Sequence, residues 1–600
     1  MAASMLPVRE FAPVSLSDTE WLPRPEHPQP QFQRPEWLNL NGSWEFEFDD
    51  DNAGLDENWA VADKPFSRSI LVPFCFESPL SGVGENAFHP YVWYRRRFHT
   101  PEAWTGRRVL LHFGAVDYKA RVWVNGYYAG EHEGGHTPFR FDITALLRGN
   151  ENTITVRVED PPTDRYLPRG KQHWEAHSAS IFYTRTTGIW QTVWLEAVGQ
   201  SYLEAVQIDA ALNGSVTFEA RVARPADDVH FAVVVRQGDR ILTMTMVQLA
   251  GARATAGVVI RDPGLWSPDN PNLYDVTFEL RRGEELLDRV ESYFGFRSVA
   301  VRNGRVVLNG NPIYLKMVLD QGYWPETNIT PPSDEAIQAD IRLTKEMGFN
   351  GVRKHQKIED PRYLYWADKM GLLVSAEMAN AYLYDSTYVG RLTNEWMEAI
   401  QRDYNHPSII LWVPLNESWG VPNVADPRQQ AHMRAMYHLT KSLDPHRLVI
   451  DNDGWEHTED TDLFAIHDYT RTGEQLYARF HECPSDQVPL PLMGKLYLAP
   501  GCKYNGTPLF LSEFGGVAFI PEGDRTPENS WGYSGIEPSR QAALDRIRGL
   551  YEAVAKLPRF AGVCYTQLCD VEQEINGLLT YDRRPKFDLR EIRRINDLLA

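Results

Sequence analysis

From about residue 300 onward, short apolar runs recur eight times, with stretches between them long enough for helices. The runs occupy 313–319, 351–355, 372–378, 409–417, 448–453, 463–469, 509–514 and 562–568. They are continuous rather than alternating, the pattern of a strand covered on both faces in a parallel sheet. Parallel neighbours need a crossover, normally a helix. Eight such units predict a (β/α)8 barrel over 298–600. The first crossover has its own start signal. Ser333 supplies a cap, Asp334 and Glu335 place negative charge in the first turn, and Ile337 and Ile341 share a face. A last helix near 589–599 is expected to close the barrel, and the chain to end with it. The segment 470–508, rich in Pro, Gly and polar residues, reads as an active-site loop.

Six hundred residues exceed what one core can serve, so further domains must precede the barrel. Their pattern is β throughout. Runs such as 108–113 and 120–124 are short, and Asn125-Gly126 after the second is a strong hairpin signal. Residues 1–200 are expected to form a sandwich or jelly roll. Residues 201–297 have the length and strand pattern of an immunoglobulin-like sandwich, with 216–222 alternating and 231–235 a further strand.

Composition narrows the function. A net charge of −20 would repel a phosphate backbone, which excludes nucleic acid as the expected partner. Five sparse cysteines without CxxC spacing argue against a disulfide framework and a zinc site. Cys564, in a strand-like run, reads as a buried small hydrophobe. No membrane span is expected. The N-terminal stretch lacks the basic and apolar regions of a leader, so a cytoplasmic setting is the simplest expectation.

Two of the barrel runs end on carboxylates, in Asn416-Glu417-Ser418 and Ser512-Glu513-Phe514. The C-terminal ends of barrel strands are where such folds place their chemistry. Taken singly, each Glu is as well explained by a salt bridge at the barrel rim. Together, on strands four and seven, they suggest the paired carboxylates of a retaining glycosidase, about 5–5.5 Å apart. Other polar groups at strand ends that could bind hydroxyls are Asp320, Gln321, His355, Glu377, Asp451, Asp453, His467, Gln567 and Asp570. Trp324, Trp419 and Trp455 are candidate stacking platforms.

These motifs resemble glycoside hydrolase family 2, the family of β-galactosidases, β-glucuronidases and β-mannosidases. The resemblance rests on Asn405-His406-Pro407-Ser408 leading to Asn416-Glu417, and on Ser512-Glu513-Phe514-Gly515-Gly516. It extends to Val122-Trp123-Val124-Asn125-Gly126, to Gly134-Gly135-His136-Thr137-Pro138-Phe139, to Thr187-Gly188-Ile189-Trp190-Gln191 and to Leu308-Asn309-Gly310-Asn311-Pro312. It implies a sugar-binding jelly roll, an immunoglobulin-like sandwich and a catalytic TIM barrel. It further implies Glu417 as acid/base, Glu513 as nucleophile, and Asn416 as the partner of the sugar 2-hydroxyl. Tyr469 would orient the nucleophile and Arg353 would hold it ionised. The loop Lys171-Gln172-His173-Trp174 would reach over the pocket.

Two departures from the family bear on the sugar. After Arg353 the chain reads Lys354-His355-Gln356-Lys357 where many relatives have Ser-His-Tyr-Pro. Asn576 stands where the glucuronidases carry a lysine for the uronate carboxylate, with Glu574 beside it. No metal cluster matches that of the large β-galactosidases, so neither metal nor cofactor is assigned. The expectation is a retaining exo-glycosidase for a neutral terminal sugar, β-galactosidase-like first. A β-D-galactofuranosidase or α-L-arabinofuranosidase is the alternative. A non-catalytic carbohydrate-binding protein is the rival of another class, disfavoured by the presence of both Glu417 and Glu513. The expected substrate contacts are Asn416, Tyr469, Arg353, Asp320, His355, Lys354, Trp455, Gln567 and Asn576, and a homo-oligomer is left open.

Overall fold

The computed structural model describes residues 21–61, 64–484, 486–489 and 494–599. The N-terminal stretch read for a leader lies outside them. A four-stranded antiparallel sheet (Trp37–Asn39, Val193–Val198, Arg108–Phe113, Phe139–Asp142) accompanies a six-stranded one built on Tyr91–His99 and Glu151–Glu159. They enclose Trp44, Phe46, Tyr94, Leu111, Phe113 and Leu195. Asn125 and Gly126 both take positive φ, 53° and 78°, and turn Lys119–Val124 into Tyr127–Glu133 as the sequence signal requires. The next unit packs three strands against four around Phe218, Phe231, Phe278 and Val290. Its strand Ser215–Ala223 buries every second residue, as an antiparallel sandwich demands. Arg34 joins the two units, its buried guanidinium pairing with Glu196 of the first and Asp288 of the second.

The barrel strands are β1 (Leu315–Asp320), β2 (Gly351–Lys354), β3 (Leu373–Glu377), β4 (Ile409–Val413), β5 (Leu448–Val449), β6 (Phe464–Asp468), β7 (Leu509–Gly515) and β8 (Phe560–Thr566). All pair in parallel, in the order β5-β4-β3-β2-β1-β8-β7-β6. Each falls within or beside an expected run. Met317, Leu319, Leu411, Val413, Phe510 and Cys564 pack inside the sheet. The helices are α1 (Asp334–Glu346), α2 (Pro361–Met370), α3 (Ser386–Asp403), α4 (Pro427–Leu443), α5 (Gly473–His481), α6 (Arg540–Ala555) and α7 (Leu589–Asn596). Ser333 caps α1 through the amide of Ala336, and Ile337 and Ile341 are buried.

Two expectations need correction. No helix separates β5 from β6, and no strand ladder joins them. Asp462 bridges instead, donating its amide to Val449 O (2.9 Å) and accepting the Val449 amide on Oδ2 (2.8 Å). The intervening residues hold their own turn, with Asp451 bonded to His457 (2.6 Å) and to the Thr458 amide (2.7 Å). Second, 470–508 is not all loop. Thr472 caps α5 through the Gln475 amide, a cap signal overlooked in a Pro- and Gly-rich stretch. No described helix is long and apolar enough to cross a membrane.

Candidate active site

Arg353 is the centre of the barrel mouth. It points inward from β2, wholly buried, and its planar fork meets acceptors from four other strands or the loops after them. Nε donates to Glu377 (2.7 Å), Nη2 to Asn416 Oδ1 (2.7 Å), and Nη1 to Glu513 Oε1 (3.1 Å) and Ser512 O (3.2 Å). Asp453 Oδ1 lies 3.3 Å from Nη1. Burial alone would pull the guanidinium down; Asp453, Glu377 and Glu513 outweigh it and keep it charged. Asp453 is likewise held below the usual carboxylate range, burial being overcome by Arg353 and by a bond from His467.

Glu513 lies within β7, almost fully buried. Its second oxygen accepts the Tyr469 hydroxyl at 2.6 Å, and that hydroxyl also meets Thr566 at 3.1 Å. Glu417 is differently placed. β4 stops at Val413, before Pro414, so Glu417 sits on the following loop rather than on the strand. There Glu417 and Ser418 both have left-handed backbone, φ 52° and 60°. The loop is pinned to the one after β5: Glu417 N donates to Asp453 O (2.9 Å) and Ser418 N to Asn452 Oδ1 (2.9 Å).

His467, from β6, stands between the two glutamates. Nδ1 lies 2.8 Å from Glu417 Oε1, and Nε2 lies 2.8 Å from Asp453 and 3.4 Å from Glu513. Burial opposes its charge, yet Glu513 and the bonds to Asp453 and Glu417 push its pKa up to about 10. It is therefore an imidazolium at neutral pH, donating from both nitrogens. Oxygens of Glu417 and Glu513 and a nitrogen of His467 all lie within 4.8 Å of one another. Three such groups are metal ligands by type. Glu513 already accepts from Arg353 and Tyr469, however, and His467 already bonds Glu417 and Asp453, so these groups are engaged with one another. What the arrangement suits is two carboxylates acting on one bond. One is fixed in a cationic, hydrogen-bonded seat, and the other is partly open to solvent.

Other expected residues converge here. Asn416 accepts Arg353 on Oδ1 and leaves Nδ2 without a protein partner. Trp455 meets His467 edge-on at 5.3 Å and lines a cavity of about 440 Å3 with His467, Tyr469 and Tyr533. His355 lies 3.0 Å from Glu377, and burial together with the charges of Lys171 and Arg353 keeps it neutral. Gln567 accepts from Gln321 (2.8 Å), leaving its Nε2 and Gln321 Oε1 unpaired. Asn576 donates to Glu574 (3.1 Å), leaving its Oδ1 unpaired.

Asp320 and Lys354, expected at the substrate, are instead a buried ion pair. Lys354 also meets Glu359 at 2.7 Å, and Asp320 accepts the Gly322 amide at 2.9 Å. The Lys354 and Asp320 side chains are 1% and 0% exposed, so neither faces the open mouth. Lys357 is similarly taken by Glu359, Gly322 O and Ile329 O. Trp324 is no platform, being buried against the cations of Lys357 and Arg583. Asp451 is occupied by His457, and Asp570 by Lys586 (2.7 Å).

The first domain reaches the site through residues 169–183. Gly170, at φ 60°, donates to Asn380 O (3.0 Å) and accepts from the Tyr382 hydroxyl. Any Cβ there would lie 2.2 Å from Gln356 O, so only glycine permits this docking. Tyr183 donates to Glu574 (2.6 Å). Trp174 and Phe182 pack with Tyr382 and Trp419 of the barrel, ring centroids 4.7–5.8 Å apart. Tyr533, stacked on Tyr469, was missed in the sequence because no periodic pattern surrounds it.

Three profiles of one family cover most of the chain: "Glycosyl hydrolases family 2, sugar binding domain" over 38–197, "Glycosyl hydrolases family 2" over 199–297, and "Glycosyl hydrolases family 2, TIM barrel domain" over 299–518. A β-galactosidase of Thermoanaerobacter pseudethanolicus is 28% identical over 401 residues, 64% of this chain and 51% of its own. The chain spans about half the length of the curated relatives it matches. Among solved structures, a β-galacturonidase of Eisenbergiella tayi superposes with a TM-score of 0.74 at 20% identity, covering 96% of this chain and 98% of that one. A β-glucuronidase of Bifidobacterium dentium gives 0.77 at 20% identity, covering 94% and 98%. At that identity the likeness speaks to fold alone. With its three domains matched in order, the chain belongs to glycosyl hydrolase family 2.

Proposed function

We propose that this protein is a retaining exo-glycosidase that removes a neutral, β-linked terminal sugar, a β-galactoside before others. The observation that carries the reading is the approach of Glu417 and Glu513 to within 4.8 Å, close to the roughly 5–5.5 Å of double-displacement enzymes. Glu513 attacks the anomeric carbon while Glu417 gives its proton to the departing oxygen. Glu417 then takes a proton from water, which releases the sugar from Glu513 with retained configuration. The unpaired Nδ2 of Asn416 is available to the 2-hydroxyl, where a bond strengthens as charge develops.

Charge supports a neutral sugar. The cations of the mouth are Arg353, His467 and Lys171, and facing them are Glu377, Glu417, Asp453, Glu513 and Glu574. At the rim, Arg471 pairs with Glu537 and Arg479 with Asp468, each at 3.0 Å. Lys354 and Lys357 are committed elsewhere. Of the three mouth cations only Lys171 has no carboxylate within 4.0 Å among the described residues, and the Glu574 charge acts against a uronate there. Five unpaired cysteines agree with a reducing, cytoplasmic setting.

The test is a nitrophenyl-glycoside panel with galactoside, glucuronide, galactofuranoside and arabinofuranoside sharing one leaving group. The galactoside should be cleaved, with the β-anomer seen first by NMR. Glu513→Gln should reduce kcat by several orders of magnitude with the fold intact. Faster hydrolysis of the glucuronide, or no turnover of any sugar, would overturn the reading.

A further inference from the structure

Of the three cations at the barrel mouth, Arg353 and His467 have carboxylate partners and Lys171 has none among the described residues. It is 7% exposed, yet its ammonium has no hydrogen bond and no carboxylate within 4.0 Å among the described residues. The ammonium lies over the Trp419 ring, 5.2 Å from its centroid. The residue is largely enclosed but its nitrogen is not sealed off, so the ammonium reaches solvent and is open to a ligand. Opposite stands Glu574, 2% exposed, one oxygen on Tyr183 and the other on Asn576. The two charges sense each other without touching: Lys171 is the strongest influence opposing the rise that burial imposes on the Glu574 carboxyl. One strap ties them together, since the Tyr183 amide donates to Lys171 O (2.8 Å) and the Tyr183 hydroxyl to Glu574 (2.6 Å). Beside them lie the unpaired Oδ1 of Asn576, Nε2 of Gln567 and Oε1 of Gln321.

Resting on the neutral-sugar reading above, we infer that Lys171 and Glu574, one from each domain, form a charge-balanced clamp that binds hydroxyls of the glycone. The ammonium donates and the carboxylate accepts. The two are not an ion pair, their charged atoms standing more than 4.0 Å apart. The pair as a whole is neutral, so it rewards a polyol and offers nothing to a carboxylate. Gly170 sets the reach of Lys171, since it brings the strap against Gln356 and Asn380.

The experiment measures kcat/KM on nitrophenyl β-galactoside and the matching β-galacturonide. The proteins are wild type, Lys171→Met, Glu574→Gln and the double variant, with folding checked by thermal unfolding. Loss of a charged donor to a hydroxyl lowers kcat/KM on the galactoside by about 10–150-fold in Lys171→Met. In Glu574→Gln the ammonium is left unmatched, so the galacturonide-to-galactoside ratio rises by about tenfold or more, and the double variant abolishes that rise. A packing role alone would not move this ratio. Glu574→Gln is isosteric, and its new amide N–H can be met by the unpaired Oδ1 of Asn576 once that side chain turns, so it carries the test even where Lys171→Met does not fold. A wild type that prefers the galactoside, with a ratio unmoved in Glu574→Gln, overturns the clamp alone. Full activity of Lys171→Met on the galactoside does the same. A wild type that prefers the galacturonide overturns the clamp and the neutral-sugar reading together.

Discussion

Glu417→Ala isolates the acid/base step. Removing the carboxyl abolishes proton delivery to the leaving oxygen, a contribution of about 10²–10⁴-fold, or about 3–5 kcal/mol. The loss should depend on the leaving group. A dinitrophenolate needs little protonation and its release should be slowed least, whereas a methyl or disaccharide glycoside should lose the full factor. The structure adds a second expectation. His467 stands 2.8 Å from the carboxylate being removed, and Asp453 and Glu513 still favour its charge. The variant therefore presents an imidazolium beside a space the size of a carboxylate, which is an anion site. Azide should enter it, attack the glycosyl-enzyme from the Glu417 side and restore turnover in a saturable manner. The product should be the β-glycosyl azide, identified by NMR. Equal losses on good and poor leaving groups without azide rescue would refute the assignment. An α-glycosyl azide would refute it more pointedly, because it would mean that Glu417 is the nucleophile.

Tyr469→Phe deletes one 2.6 Å bond to Glu513 while Arg353 keeps its own, so kcat should fall by about 10–150-fold with little change in KM; a change under twofold would remove Tyr469 from the mechanism. Glu395, buried on α3 beneath the His136 amide (2.6 Å), has its carboxyl pushed by burial from near 4.5 up to about 8. Its contribution to stability is complete below the unfolded value and is lost as pH rises toward 8. Glu395→Gln has no such loss, so its Tm advantage over wild type should widen between pH 5 and pH 8.5, and a constant difference would refute the shift. Gly170→Ala forces a Cβ toward Gln356 O and should cost about 1–3 kcal/mol in thermal unfolding. It should also lower kcat/KM through displacement of Lys171, and unaltered values would show that the strap has slack.

The barrel was legible because its strands are uninterrupted apolar runs, a local property of the chain. All eight lie where those runs lie, and both glutamates were read from the C-terminal ends of two of the runs. What escaped was set by contacts distant in sequence. The wall between β5 and β6 is closed by the Asp462 side chain rather than by a helix, which no periodicity announces. Lys354 and Asp320 looked like substrate contacts because each sits at a strand end, but adjacency in the sheet made them partners of each other. His467 was visible only as one polar residue among many. Its place between Glu417, Glu513 and Asp453 appears once three strands are brought together. Tyr533 arrives from an irregular stretch, and Lys171 from another domain.

The backbone at Glu417 and Ser418 shows what aiming the acid demands. Two successive residues with side chains occupy the left-handed region, at about 1–3 kcal/mol each. Glycine at 418 would relieve part of that cost, and mutation would find it readily. Ser418 nevertheless bonds Asn452 and Glu456, and through them the loop keeps its orientation. Selection for thermal robustness and selection for turnover therefore pull this position in opposite directions. A lineage adapting to heat should gain stability almost anywhere else in the barrel before it yields here.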